Sequence, residues 1–356
     1  MSQPKFLIIA EGAFGPETSK TANSAVRYLP ERIVGVLDST AKGRTCQEVL
    51  GFGGAIPVVK TFADGLGLGP TGILIGIAPP GGQLPPGWRG WLLEAIEKGM
   101  PIWSGLHTFI GDDPEFAAKA KAKGVRILDA RKPPASLRVS DGRAKDVDAF
   151  VVLTVGSDCN VGKMTAQLQL VKDLNARGLR TRFAATGQTG ILIEGWGIAV
   201  DAVVADFIGG AAESLTLEAA QNADVVLVEG QGSLIHPAYS GVTLGLLHGS
   251  CPRAMILSHQ SSRTMIGDYG SREPWVPIPK LSELVRIYEE AARPIFPSAV
   301  IGVALNTYDL GDAEAKAAIA EAERDTGLPA TDPVRYDPKP LVDAVARAHA
   351  AWKAAR

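Results

Sequence analysis

An apolar run at 150–155 opens directly into Gly156, Ser157, Asp158, Cys159, Asn160, Val161, Gly162, Lys163, Met164 and Thr165, and this segment constrains the chain more than any other. The nearest frame is the phosphate-binding loop GxxxxGK. Its glycines let several backbone N–H groups converge on one anion, the helix that follows adds its positive end, and the lysine adds a cation. A buried-type strand before the loop and helical spacing over 165–174 after it predict strand, anion cradle and helix in that order. One position departs from nucleotide hydrolases: Met164 follows the lysine, where a Ser or Thr hydroxyl ordinarily ligates magnesium. The ten residues are therefore expected to bind a diphosphate-bearing ligand, with no metal required.

Around this segment the chain alternates short apolar runs with helical patterns. Strands are expected at 6–10, 33–37, 73–78, 101–104 and 125–128, with helices at 21–28, 88–98 and 113–123. The last helix opens on Asp113 and Pro114, a cap followed by proline in the first turn. A second series carries strands at 149–155, 181–185, 200–206, 225–229, 254–258 and 300–306. Its helices are expected near 163–177, 211–222, 281–292 and 312–325, with an Ala-rich helix at 339–355. This rhythm means parallel sheets covered by helices. Between the two series, a stretch with two prolines, mixed charge and little apolar content breaks the pattern. The expected class is α/β: an N-terminal Rossmann-like doubly wound sheet over 1–135, a linker at 136–148, and a P-loop NTPase-like α/β domain over 149–356.

Ligands of open α/β sheets bind at the carboxyl ends of the strands, which makes the residues just after each strand the next candidates. Glu229 ends the run 224–229, where P-loop folds carry a metal-binding or water-orienting carboxylate, and Asp206 is placed alike after 203–205. Gln188 and Thr189 lie in the loop expected at 186–190. His236 follows the glycine turn after Glu229, and His259 follows the strand at 254–258. Arg263, with Arg272, is the cation suited to a substrate carboxylate. Asn306 sits where related folds contact a base, and Lys20 is a cation near the first helix. The N-terminal domain shows Gly12-Ala-Phe-Gly15 after its first strand and 78–82 after another. Neither is the dinucleotide fingerprint GxGxxG, so Asp38 at the end of the second strand marks no cofactor by itself, and this domain is expected to serve as a lid or dimerisation element.

Composition narrows the function classes. A formal net charge of -2 gives no field for nucleic acid or an anionic membrane, and apolar residues at 46% fit an ordinary globular chain. No apolar run reaches the 18 or so residues that span a bilayer, and the N-terminus lacks the pattern of a signal peptide. The cytoplasm is the expected location, with no nucleic-acid or membrane partner. Cys46, Cys159 and Cys251 lie far apart with no metal-ligand spacing, and all three are expected as reduced thiols.

The order of five segments resembles a known family over nearly the whole chain. These are Ser19-Lys-Thr21, the loop 156–165, Ala185-Thr-Gly-Gln-Thr-Gly190, Val228-Glu-Gly-Gln-Gly232 and His236-Pro237. The family is that of the D-glutamate N-acetyltransferases, two-domain P-loop proteins long of unknown function. The P-loop domain is also similar to dethiobiotin synthetase, an ATP-using enzyme. The first resemblance implies transfer of acetyl from acetyl-CoA, a co-substrate, to the amino group of an acidic amino acid, in a protein expected to be a homo-oligomer. The loop would then hold a CoA phosphate group. Strand-end position alone suggests Glu229, Asp206 or His236 as base, and Arg263, Gln188, Thr189 and Lys20 as substrate contacts. The second resemblance keeps an ATP-dependent ligase or kinase open. A nucleotide- or CoA-binding regulator without turnover is the third class.

Overall fold

The computed structural model describes residues 3–77, 79, 82–267 and 273–356. The chain divides into two compact units, one of Met1–Pro133 with Gln188–Ala202 and the other of Pro134–Gly187 with Val203–Arg356. In unit 1, strands β1 (Phe6–Ile9), β2 (Ile33–Leu37), β3 (Val58–Val59), β4 (Gly72–Ile75), β5 (Ile102–Ser104) and β6 (Ile127–Asp129) form one sheet in the order β3-β2-β1-β4-β5-β6. Every pairing is parallel. Helices α1 (Lys20–Tyr28), α2 (Cys46–Leu50), α3 (Phe62–Gly67), α4 (Arg89–Glu97) and α5 (Pro114–Lys123) connect them. Helix α5 begins as its sequence dictates: Asp113 Oδ1 accepts the N–H groups of Glu115 and Phe116 at 3.0 and 3.2 Å, and Pro114 fills the first helical position.

Unit 2 is a second all-parallel sheet. It contains β7 (Phe150–Gly156) followed by α6 (Lys163–Ala176) and β8 (Thr181–Ala184). Helix α7 (Gln188–Glu194) comes next but belongs to unit 1. The chain returns to unit 2 with α8 (Ile208–Ala220), β9 (Val225–Val228), α9 (Ser240–Ser250), β10 (Ala254–Gln260), α10 (Leu281–Ala292), β11 (Ala299–Asn306), α11 (Asp312–Thr326), β12 (Ala330–Thr331) and α12 (Lys339–Ala354). Strand order is β12-β11-β10-β7-β9-β8. The chain leaves β7 toward β8 and β9 on one side and later builds β10 to β12 on the other, so the loop after β7 sits at the topological switch point. The seven residues of β7 are all buried, which is why the run is apolar apart from Thr154 rather than alternating. Phe150, Val152, Leu170, Leu174, Val225, Leu227, Ile256, Leu341 and Val345 form the core beneath it. No helix among the described residues is long and apolar enough to cross a membrane.

Two expectations are corrected. The run at 200–206 is not a strand: it forms two 3₁₀ turns, Val200–Ala202 and Ala205–Phe207, and it is divided between the units after Ala202, so no single sheet receives it. The segment at 188–190 is not a strand-end loop but the start of α7, which docks on unit 1. Ile191 and Leu192 are buried there, the Thr189 and Thr21 hydroxyls meet at 2.9 Å, and Arg131 pairs with Asp201. The stretch expected as a linker, 136–148, is held onto unit 2: Ser140 and Arg143 converge on the buried carboxylate of Glu213.

Helix α9 had no sequence signal, since Gly241, Gly245 and Gly249 lower its helix propensity. Packing requires at least the last of these. A Cβ on Gly249 would lie 2.1 Å from the Gly209 carbonyl oxygen of α8, so the two helices touch through bare backbone.

Candidate functional site

The loop after β7 has five residues between Gly156 and Gly162, one more than GxxxxGK. The longer loop closes through two positive-φ residues, Asn160 at 55° and Gly162 at 101°. The second is outside the range an L side chain readily adopts, which makes glycine the fitting residue there. Lys163 opens α6, a helix of 14 residues, and its Nζ donates to the Asp158 carbonyl oxygen at 2.6 Å. A Cβ on Gly156 would come within 2.9 Å of that Nζ, so Gly156 is the floor on which the lysine lies. Met164 is buried with the core face of α6, and no hydroxyl stands at the first position after the lysine. A helix N-terminus and a lysine thus lie together at this loop, two of the elements from which an anion cradle is built.

Neighbouring elements fix this loop from below. Tyr288 on α10 is fully buried, and its hydroxyl donates to the Gly156 carbonyl oxygen at 2.7 Å while accepting from Leu234 N–H at 3.1 Å. The Ser157 hydroxyl is 2.8 Å from His259 Nδ1. Burial, with the nearby Arg263 charge adding to it, pushes His259 down to about 4, so its ring is neutral at pH 7. In the unfolded chain the ring titrates near 6.5, so the unfolded state gains a proton first as pH falls. Stability from neutral His259 is present above pH 6.5 and lost between 6.5 and about 4, by about 3 kcal/mol in all. Urea midpoints measured across that window should fall with acid, and His259→Gln should flatten the slope. An unchanged slope in the variant would show that other groups carry the effect.

Glu229 follows β9, beside β7, and is buried. Its Oε2 accepts the N–H groups of Thr186 and Gly187 at 2.9 and 3.1 Å, and its carbonyl oxygen accepts the Thr186 hydroxyl at 2.7 Å. Gln231 Nε2 donates to the same hydroxyl at 3.1 Å. The carboxylate is thereby held across the ends of adjacent strands β8 and β9. Gly230 donates its N–H to the Thr154 hydroxyl at 3.0 Å, and a Cβ there would lie 1.8 Å from the Thr154 carbonyl oxygen. Only glycine lets Glu229 stand this close to the cradle strand.

His236, 2% exposed, also reaches the loop. Burial lowers its pKa, the Asp158 charge opposes this, and Lys163 adds to it. Its Nδ1 accepts the Ala238 N–H at 3.0 Å, so the neutral ring keeps its proton on Nε2, the nitrogen 3.9 Å from Asp158 Oδ1. Ligand atoms of Asp158, Cys159 and His236 lie within 4.8 Å of one another. An Nε2 that bears a proton has no lone pair to give, and Asp158 spends Oδ1 on Cys159 N–H and Oδ2 on Arg263 and Gly267 N–H.

The remaining candidates are dispersed. Asp206 is exposed on a 3₁₀ turn, because the strand that was to present it does not form. Arg263 is turned onto Asp158 and Cys159 of the loop instead of an open cleft. Asn306 ends β11 beside Gly162, whose Cβ would lie 3.7 Å from its own. Lys20 lies on α1, and Gln188 and Thr189 lie on α7, all three in unit 1. Ala78, Pro80, Gly81 and Arg272 lie outside the described residues. Asp38 is engaged by the turns around it: its oxygens accept the N–H groups of Phe14, Thr40 and Ala41 at 2.7, 2.7 and 3.1 Å. Burial would raise this carboxyl, but those donors outweigh it and hold it below the usual range. Neither the role of Tyr288 nor the Asp158 pairing with Arg263 is legible in the sequence. The first reads as a core residue at helical spacing from Leu284, and nothing in a single sequence links residues 158 and 263.

A parallel sheet whose central strand opens into an anion cradle, on a chain that also carries a Rossmann-like sheet, defines a two-domain P-loop protein. The chain belongs to the DUF1611 family: residues 138–342 match its P-loop domain of unknown function, and residues 39–133 match its Rossmann-like N-terminal domain. A protein named D-glutamate N-acetyltransferase from Tritonibacter scottomollicae is 40% identical over 293 residues, 80% of this chain and 84% of that one. Another of the same name from a Pseudoalteromonas species is 34% identical over 334 residues, 94% of this chain and 96% of that one. The crystal structure of a DUF1611 family protein from Anabaena variabilis has a TM-score of 0.90 at 39% identity, covering 97% of this chain and 100% of that one.

Proposed function

We propose that the protein is a D-glutamate N-acetyltransferase, an acyltransferase that uses acetyl-CoA as donor and holds the CoA phosphates in the loop 156–165. The names of two relatives aligned over most of their length support the reaction. The observation that carries the donor is the loop itself, which places Lys163 at the N-terminus of α6 while Met164 stands where a magnesium-ligating hydroxyl would be. The overall change forms an amide on the amino nitrogen of D-glutamate and breaks the thioester, leaving CoA as its thiol. Acetyl-CoA supplies the activated acyl group. The chain must hold it, take a proton from the ammonium so that a neutral amine is available, and offer donors to the charge that develops on the carbonyl oxygen.

For the proton we assign Glu229. It is the buried carboxylate fixed at the strand ends beside the loop, and Oε2 is anchored by two amides, so its orientation is set in advance. Asp206, exposed and on a turn, lacks that placement. His236 carries its proton on the nitrogen that faces the loop and is suited to donate rather than accept.

Calorimetry with CoA, and separately with ATP plus magnesium, tests the donor. CoA should bind without metal, and Lys163→Ala should weaken it by about 1.5 to 3 kcal/mol, roughly 10- to 150-fold in Kd. Tight magnesium-dependent ATP binding with no CoA binding would overturn the proposal.

A further inference from the structure

We propose that Arg263 is a positioning residue for the anion cradle, neutralising the carboxylate that the loop itself carries at Asp158. This rests on the reading that the loop holds a phosphate ligand. The attraction of such a loop for an anion comes from converging amides, a helix N-terminus and one lysine. Asp158 works against all of them, since its carboxylate is 1% exposed and is carried by a residue of the loop itself. Left unpaired it would repel a diphosphate and compete for the same donors.

The fold removes this conflict with a residue 105 positions later. Arg263 Nη1 donates to Asp158 Oδ2 at 2.7 Å and to the Cys159 carbonyl oxygen at 2.9 Å, gripping two consecutive loop residues from one nitrogen. Its other terminal nitrogen donates to Gln260 Oε1 at 2.7 Å, which holds the guanidinium against the end of β10. Gly267 N–H supplies a second donor to Oδ2 at 2.6 Å. Charge, two directed bonds and a fixed plane are properties of a guanidinium that an ammonium does not reproduce. The same contacts draw Arg263 away from the role of a clamp on the carboxylate of D-glutamate.

The two roles separate experimentally. CoA and inorganic pyrophosphate are titrated into the full chain by calorimetry, and KM is measured for each substrate. Arg263→Gln should weaken both probes roughly 10- to 100-fold, the scale of leaving one buried charge without its partner. The KM for D-glutamate should hold. Adding Asp158→Asn to Arg263→Gln removes the carboxylate that needed neutralising and should recover most of the lost affinity, whereas Arg263→Lys should recover less. A rise in KM for D-glutamate with unchanged probe affinity would overturn the inference in favour of a substrate clamp. A loss of probe affinity that the double variant does not recover would show that Arg263 only maintains the loop's shape. If wild-type protein binds pyrophosphate but not CoA, the proposed donor fails while these comparisons still decide the role of Arg263. Binding of neither probe overturns both.

Discussion

Glu229→Gln is expected to lower kcat by roughly 10²- to 10⁴-fold while CoA affinity stays near that of the wild type. The substitution keeps the shape of the side chain and leaves an oxygen able to accept the Thr186 and Gly187 N–H groups, which meet Glu229 at 2.9 and 3.1 Å. It removes basicity alone. A base also imposes its own titration on kcat/KM, so the acid limb of the pH profile should vanish in the variant. An anchor without a proton-transfer role would instead lower the rate evenly at every pH. The pantetheine arm separates the CoA diphosphate from the thioester by many bonds. A side chain beside the cradle therefore meets the acetyl group only if the arm folds back over the loop. Near-normal kcat for Glu229→Gln would mean that the acetyl group is delivered elsewhere and that another residue takes the proton.

Glu213→Ala should produce the largest loss of stability, about 2 to 4 kcal/mol in unit 2. Glu213 on α8 is fully buried, and its two oxygens accept four bonds from one segment of chain. Oε1 takes Arg143 Nη2 and Nε at 2.9 and 3.2 Å, and Oε2 takes Arg143 N–H and the Ser140 hydroxyl at 2.8 and 3.1 Å. Truncation leaves the backbone N–H of Arg143 and the Ser140 hydroxyl without their acceptor and opens a cavity under the entry segment of the unit. The guanidinium of Arg143, half exposed, returns to water at little cost, which keeps the estimate below that for a fully buried pair. The urea transition of unit 2 should shift to lower concentration, and Glu213→Gln, which keeps the volume and one acceptor oxygen, should recover about half of the loss. An unshifted transition in Glu213→Ala would show that the entry segment is held by other contacts.

What the sequence made legible follows from the range of the forces involved. The strand at 33–37 and the helix at 281–292 coincide with β2 and α10 because each carries its own local signal, a short continuous apolar run in the first and 3.6-residue spacing in the second. The cradle was legible because glycines, lysine and the flanking strand and helix are contiguous. Helix α9 was not, because its glycines serve contact with α8, and their value appears only when the Gly209 backbone is in place. The segment 188–202 read as part of the second domain since it lies between β8 and β9 in sequence. Its docking on unit 1 depends on Thr21 and Arg131, each more than a domain's element away in the chain. Arg263 illustrates the same limit at the site. A cation after a strand end is compatible with a substrate carboxylate or with the loop's own, and only coordinates choose Asp158. The strand expected before Asp206 does not form for the converse reason: the valines that suggested it are shared between two units.

The central claim is acetyl transfer from acetyl-CoA to D-glutamate, and it is tested most directly by incubating the full chain with both substrates in the presence of EDTA. Released CoA thiol and N-acetylglutamate are then quantified, with L-glutamate and with ATP plus magnesium as parallel arms. The proposal predicts equal amounts of thiol and N-acetyl-D-glutamate, undiminished by the chelator and much smaller with L-glutamate. No product from acetyl-CoA, together with ATP consumption that depends on magnesium and an amino acid, would contradict it.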